Sequence, residues 1–383
     1  MKVLMATPVF YPLVGGTENS TLNLAIELNN QGVHTDVATV NNVERNTPLW
    51  QFRSEKFKNF TLYKIPAIRF SSFSRYKILN RLLGINQISL FGFHNLLRKY
   101  DIIHYQDDND MTLVLSSFWA SSKKIMHYRS FVEQTHKKYD NNFFLKILSK
   151  NIFDLHIGNS KFTKSRLINY FGQSVDYLDN SVHEDFFKRR EQLKKKNSII
   201  CVGRIEKTKG VQFFLSSLLL VKEQCEVKII GDFVDDDYKR KILEISESIM
   251  EKRNIKIIFY SSMKRKDLIP LIQESTLLVF PWGSGFNSKI NSGSGIVQME
   301  SMASGTPVIT TNTGANPGIV KHGKTGLVVE RNNIKEFAAA ISYLLQNRTF
   351  SKKLGINAKS YAEENFRLKK QANKLIKKYE RLL

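Results

Sequence analysis

Short runs of apolar, β-favouring residues alternate with helical stretches from one end of the chain to the other. This alternation restricts the fold more than any other feature. In the first half the runs fall at residues 3–7, 35–40, 62–66, 102–105, 124–128, 155–159 and 175–178. In the second half they fall at 199–202, 227–230, 255–259, 277–280, 308–310 and 327–329. Near-continuous apolar strands separated by helices predict parallel sheets covered on both faces, since each crossover lays a helix across the sheet. Two such sets predict two doubly wound α/β domains.

Between the sets, HEDFFKRREQLKKKNS (183–198) is charged and lacks a strand pattern. It reads as a linker between an N-terminal Rossmann-like domain (1–182) and a C-terminal one (199–365). The tail, 366–383, places Leu368, Ala372, Leu375, Ile376, Tyr379 and Leu382 on one helical face with a basic back. Packing against a domain is the expected use of that face, with membrane contact as the alternative.

With 383 residues and 42% hydrophobic content, the chain can build two cores. Its two cysteines, Cys201 and Cys225, have no metal-ligand neighbours, so neither a disulfide framework nor a zinc site is expected, and a reducing cytoplasm is the natural setting. The opening MKVLMATPVFYP reads as a first strand and not as a signal peptide. No stretch approaches the roughly 18 apolar residues of a membrane span.

The net charge is +23, and it is unevenly spread. Residues 51–100 hold ten Lys or Arg against the single acid Glu55, interleaved with Phe70, Phe73, Tyr76, Leu82, Phe91 and Phe93. Such a segment suits an anionic membrane surface or single-stranded nucleic acid, and a solvated lysine-rich surface is the plain alternative. No nucleic-acid-binding module is recognisable, which favours the membrane.

Three motifs carry chemistry. Gly15-Gly16-Thr17-Glu18 follows the first strand; its glycines allow close backbone approach, with Thr17 as a helix cap and Gly32 ending that helix, although a plain tight turn fits equally. Gly203-Arg204 ends the first strand of the second half, and Lys209 follows five residues later. Two cations around a strand-to-helix loop suit a pyrophosphate; two solvated surface charges are the bland reading. Residues 295–329 read GIVQMESMASGTPVITTNTGANPGIVKHGKTGLVV. Here a helix N-terminus at Gly295, Ile296 and Val297 offers amides to phosphate, and the Glu300 carboxylate can accept two sugar hydroxyls. Phosphate site plus hydroxyl acceptor suggests a nucleotide. Gly231-Asp232 closes another strand at the ligand edge, and His104 and His127 end first-half strands, where a histidine is either a ligand contact or structural. No Walker loop, Gly-x-Ser-x-Gly elbow or Gly-x-Gly-x-x-Gly follows the strands.

Together these residues resemble glycosyltransferase family 4, retaining transferases of the GT-B fold. The resemblance is specific over about 199–329 and looser before. CVGRIEKTKG is similar to the family's GR-x4-KG, so Arg204 and Lys209 are implied to hold the donor diphosphate. Glu300 is similar to the second Glu of its E-x7-E, implied to hold the ribose hydroxyls. GGTE resembles the N-terminal glycine loop, and His127 resembles the strand-end His that approaches the donor sugar. Asn159-Ser160 and Asn180-Ser181-Val182-His183 resemble two further family segments.

One departure stands out. The first Glu of E-x7-E would fall at Ser292, inside a long Ser/Gly insertion after Pro281. Ser292 or main-chain amides of the Ser/Gly loop would have to serve in its place, or Lys289 would favour an acidic sugar instead. The resemblance implies a GT-B protein whose two parallel sheets face a central cleft. Arg204 and Lys209, with His127, would be its catalytic groups, aided by amides near Gly314 and Ala315. Gly15, Gly16, Gly203, Gly231, Ser292, Gly295, Ile296, Val297 and Glu300 would line the donor. No metal or other cofactor is expected beside the nucleotide-diphosphate sugar. The expected partners are that donor, a lipid-linked or glycan acceptor and an anionic membrane at its cytoplasmic face, with no nucleic acid. A catalytically impaired partner subunit of another transferase is the alternative that Ser292 supports.

Overall fold

The computed structural model describes residues 1–11, 15–40, 52–65, 67–69, 87–89, 93–106, 120–129, 151–172, 174–188, 197–285 and 295–383. The chain divides into two compact units, Met1–Asn180 with Leu368–Leu383, and Ser181–Arg367.

The described strands of the first unit are β1 (Lys2–Thr7), β2 (His34–Val40), β3 (Arg53–Phe57), β4 (Phe60–Ile65), β5 (Ala67–Arg69), β6 (Gln87–Ser89), β7 (Ile102–Tyr105), β8 (Lys123–Tyr128), β9 (Leu155–Gly158) and β10 (Asp176–Tyr177). Eight of them form one sheet in the order β10-β9-β8-β7-β1-β2-β4-β3, while β5 and β6 pair separately. The central strand β1 is parallel to both neighbours, with Val3 opposite Thr35 on one side and Ile102 on the other. Its side chains alternate between faces: Leu4 and Ala6 join a core with Ala38, Ile103, Tyr105 and Met126. Val3 and Met5 join another with Val37, Leu62, Ile102 and Ile125. Burial on both faces is why these strands read as continuous apolar runs.

The second core is closed by helices Gly16–Asn30 and Leu368–Glu380, through Leu24 and Leu28 on one and Leu368, Ala372, Leu375 and Tyr379 on the other. The strands β5 and β6 lie outside the sequence runs, as does β3. Strand β3 is an exposed edge (RSEKF) paired antiparallel with β4, and its charges discourage further pairing. Thr17, expected as a helix cap, lies inside the first helix. The cap position is Gly15, with no side-chain cap bond, and Gly32 follows the helix end at φ +83.

The second unit carries β11 (Ser198–Val202), β12 (Cys225–Ile230), β13 (Ile255–Tyr260), β14 (Leu277–Phe280), β15 (Val308–Thr311) and β16 (Gly326–Val329). All described pairings are parallel, in the order β13-β12-β11-β14-β15-β16. Chain direction across the sheet reverses between β11 and β14, the place where doubly wound sheets open a crevice at their carboxyl ends. Each of the thirteen sequence runs overlaps a described strand of this unit or the first.

The segment read as a linker begins differently. Glu184–Phe187 forms a 3-10 turn with Phe186 and Phe187 buried, and the Arg367 guanidinium lies 4.4 Å from the Phe187 ring centroid. Residues 189–196 lie outside the described residues.

Candidate functional site

The carboxyl edge of the second sheet gathers the predicted phosphate-binding groups. Gly203 and Gly231 stand at the ends of β11 and β12, at φ +145 and +152. A Cβ on Gly231 would sit 2.0 Å from the Gly203 carbonyl oxygen, so the two strand ends pack backbone on backbone. Their amides donate to Ile230 and Tyr260 carbonyls, each at 2.9 Å. Gly231 is therefore required by the scaffold, and its amide is already engaged. A Cβ on Gly203 would meet open space, which leaves room beside that strand end.

Arg204 and Lys209 follow, drawn together by a residue the sequence reading passed over. The Glu206 carboxylate accepts from the Thr208 hydroxyl at 2.8 Å. The same oxygen lies 3.5 Å from Arg204 Nη2 and 3.8 Å from Lys209 Nζ. Arg204 is largely solvated, with its side chain 67% exposed, whereas Lys209 is 32% exposed and lies 5.9 Å from the Trp282 ring centroid. Burial draws the Lys209 ammonium below its ordinary pKa; Glu206 opposes this and Arg204 adds to it. The loops after β11 and β14 are locked together. Gly283 N donates to Thr208 O at 3.1 Å, and a Cβ on Gly210 would strike the Pro281 carbonyl at 2.2 Å. The cation pair thus sits on a fixed loop at the reversal point of the sheet.

The helix Ile296–Ala303 begins beside β14. Its N-cap is Gly295, with no side-chain cap, so the first amides, at Ile296 and Val297, have no acceptor within the helix. Gly295 has a packing reason to be glycine, because a Cβ would lie 2.4 Å from the Phe280 ring. The buried Gln298 amide donates to Asn316 Oδ1 at 2.9 Å, and the Asn316 amide donates to the Thr311 carbonyl at 3.2 Å. These bonds fix the helix start against the end of β15. The adjoining turn is tied by Thr311, whose hydroxyl donates to the Trp282 carbonyl at 2.9 Å. Gly314, at φ +57, lies in that turn and Ala315 follows it.

Two helical positions beyond Gln298, Glu300 has its carboxyl pushed up to about 7 by burial, with Arg265 pulling the other way. Burial also draws Arg265 below its ordinary pKa, opposed by Glu300 and Asp185. Ser292, with Phe286 and Lys289, lies outside the described residues.

The first-unit candidates are placed differently. Gly15 caps the first helix, and a Cβ there would lie 2.3 Å from a Glu18 carboxylate oxygen; Gly16 is the first residue of that helix. His127 is fully buried in β8. Its ring stacks on His104 at 5.4 Å with 4° between planes, and His104 Nδ1 is hydrogen-bonded to the Tyr379 hydroxyl at 2.6 Å. Burial first and Arg129 second hold both imidazoles well below their ordinary pKa, so both are neutral at neutral pH. Neither His127 nitrogen has a hydrogen-bond partner among the described residues, and the ring has no accessible surface. The position of His127 therefore adds nothing to the expectation that it meets a donor sugar. Among the described residues, no group of three or more His, Cys, Asp or Glu could hold a metal ion.

Residues 183–361 match the family of glycosyl transferases group 1. That match spans most of the second unit. A putative glycosyltransferase of Bacillus subtilis, YtcC, is 27% identical over 51% of this chain and 48% of its own length. An uncharacterized glycosyltransferase of Methanocaldococcus jannaschii, MJ1178, is 25% identical over 95% of this chain and 94% of its own. The matched region spans about half the length of the first two curated relatives. Among solved structures, Anabaena Alr3699/HepE in complex with UDP superposes with a TM-score of 0.78 at 16% identity, covering 99% of this chain and 100% of the other. The fold is that of GT-B glycosyltransferases, with two α/β units built on parallel-dominated sheets.

Proposed function

We propose that this protein is a glycosyltransferase that moves a sugar from a nucleotide-diphosphate sugar to a lipid-linked or cell-surface polysaccharide acceptor, with retention of configuration, at the cytoplasmic face of a membrane. The observation that carries the reading is the convergence of Arg204 and Lys209 on one Glu206 oxygen at the reversal point of the second sheet. A diphosphate arriving there can take over the two cations, since it carries more negative charge than the single carboxylate that now holds them. The amides of Ile296 and Val297, which have no acceptor within the helix, add donors of the right sign. As the glycosidic bond breaks, charge builds on the leaving diphosphate, and fixed cations stabilise it without reorganising. Positioning of the two substrates supplies the rest of the acceleration.

Glu300 is read as the acceptor of the ribose hydroxyls, a role that needs its ionised form. UDP in the HepE complex makes uridine donors the first to test. The reaction in this reading uses no metal, because cations and a helix start hold the diphosphate. A second reading, a partner subunit without turnover, is favoured only by Ser292 in place of an acid.

A thermal-shift panel with UDP-, GDP-, ADP- and dTDP-sugars tests the proposal, because a ligand that binds only the folded state raises its stability. A shift with one donor, lost in Arg204→Ala, supports the site. No shift with any donor would overturn it. Transfer assays on the donor found then separate an enzyme from a binding subunit.

A further inference from the structure

The first unit carries a second basic surface, away from the segment that the sequence singled out. On helix Leu368–Glu380 the buried face is Leu368, Ala372, Leu375 and Tyr379, while Lys369, Lys370, Lys374 and Lys377 point outward and are exposed. Lys370, Lys374 and Lys377 share a face by their spacing of four and three. Beside this helix runs β10, the outermost strand of the sheet. A cavity of about 670 Å³ lies between them, lined by Tyr177, Leu178 and Asp179 on the strand side and Gln371, Lys374, Lys377, Lys378, Glu380 and Arg381 on the helix side.

On its other flank, Tyr177 meets helix Lys161–Phe171. Lys161 Nζ and Lys164 Nζ lie 5.7 and 5.8 Å from its ring centroid. The patch is therefore continuous across two helices and the sheet edge. Asp176 is already matched by Lys378 at 2.5 Å and Arg381 at 3.4 Å. Asp179 and Glu380 are the other acids lining the cavity. Exposed apolar side chains frame the cations: Ile168, one turn from Lys164, and Leu383, just past Arg381.

We propose that this face, centred on Tyr177 and the outward lysines of the C-terminal helix, docks the protein on an anionic lipid surface. The cations match lipid phosphates, and Tyr177, Ile168 and Leu383 provide the apolar and amphipathic contacts that an interface admits. Single-stranded nucleic acid is the poorer fit. It needs successive aromatic platforms, and the one ring here already lies under two ammonium groups. The inference deepens the reading of a lipid-linked acceptor and rests on it for its purpose.

The test is flotation of the full chain with phosphatidylglycerol vesicles, with phosphatidylcholine vesicles as the neutral control. Each cation near such a surface contributes about fivefold in binding, so Lys370→Gln, Lys374→Gln and Lys377→Gln together are expected to weaken partitioning about a hundredfold. All three side chains are exposed, and their removal should leave the melting temperature unchanged. Lys352→Gln with Lys353→Gln, exposed cations of the second unit, should float as the parent does. Loss of flotation in 0.5 M salt, estimated from a Debye length of only a few ångströms there, is also expected. A parent that ignores anionic vesicles, a triple variant that floats unchanged, or binding to single-stranded RNA in preference to vesicles would each overturn the proposal. Donor binding by thermal shift is read through Arg204 in the second unit, and none of the lysines replaced here belongs to that site. Failure of the nucleotide-sugar reading would therefore leave flotation intact, and failure of docking would leave the shift intact.

Discussion

Replacing Glu300 with Gln should make the protein more stable at alkaline pH and worse at holding a nucleotide, and the first effect can be sized. The carboxyl has an ordinary value of 4.5 and is lifted by burial to about 7 in the folded chain. Between those values the folded state holds a proton that the unfolded state has released. Stability therefore falls as pH rises from about 4.5 to 7, and the loss is complete above 7. The lift from 4.5 to about 7, at about 1.4 kcal/mol for each tenfold in proton affinity, amounts to roughly 3 kcal/mol. Glutamine has the same shape and no charge to bury, so Glu300→Gln recovers up to about 3 kcal/mol at pH 8 and almost nothing at pH 4.5. Paired melting curves of parent and variant at those two pH values measure it. In a domain of this size about 3 kcal/mol corresponds to roughly 6–12 °C. Nucleotide binding should move the other way. Two hydroxyls bonded to a carboxylate are worth about 2 kcal/mol more than to an amide, so UDP affinity should drop roughly thirtyfold. In the parent, affinity should rise between pH 6 and 8 as the carboxyl ionises. A melting difference that is the same at both pH values would refute the buried-carboxyl argument. Unchanged UDP affinity in the variant would remove Glu300 from the site.

Other perturbations read separate parts of the chain. Arg204→Ala and Lys209→Ala should each weaken UDP binding by at least about tenfold, since each removes a charge-assisted contact to phosphate; isothermal titration measures it, and UMP should be affected less than UDP. Gly231→Ala puts a Cβ 2.0 Å from the Gly203 carbonyl at a φ of +152, so a loss of about 3 kcal/mol or failure to fold is expected in urea titration. Tyr379→Phe removes the buried 2.6 Å bond to His104 and should lower stability by about 1–3 kcal/mol, checked by denaturant unfolding, with UDP affinity unchanged.

The parts of this molecule that could be read from sequence are those with local causes. An apolar run that ends in glycine and a cation, as at Val202-Gly203-Arg204, announces both a buried strand and its ligand edge, because burial and strand ends leave marks on adjacent residues. The edge strand β3 left none: RSEKF alternates no apolar face, being solvent-exposed along most of its length. Glu206 was missed because an acid between two cations looks like ordinary surface charge, and only folding brings its oxygen near both. Gln298 and Asn316 are 18 residues apart, and their bond depends on how the helix start meets the end of β15. A polar Gln amid Ile296, Val297 and Met299 was the available hint. The burial of His127 was illegible for the same reason in stronger form. The residue that pins its neighbour, Tyr379, is 275 positions from His104. The raised Glu300 carboxyl likewise depends on the packing that buries it, against the pull of Arg265.

The C-terminal helix has a consequence for the order in which the protein can be made. The strands of the first unit leave the ribosome before those of the second, yet Leu368, Ala372, Leu375 and Tyr379 close its core. Until those last residues emerge, Val3, Leu24 and Leu28 have an open side, while every strand of the second unit, from Ser198 to Val329, has already been synthesised. The later unit in the sequence can therefore finish first, and the earlier one must wait through its synthesis with apolar surface uncovered.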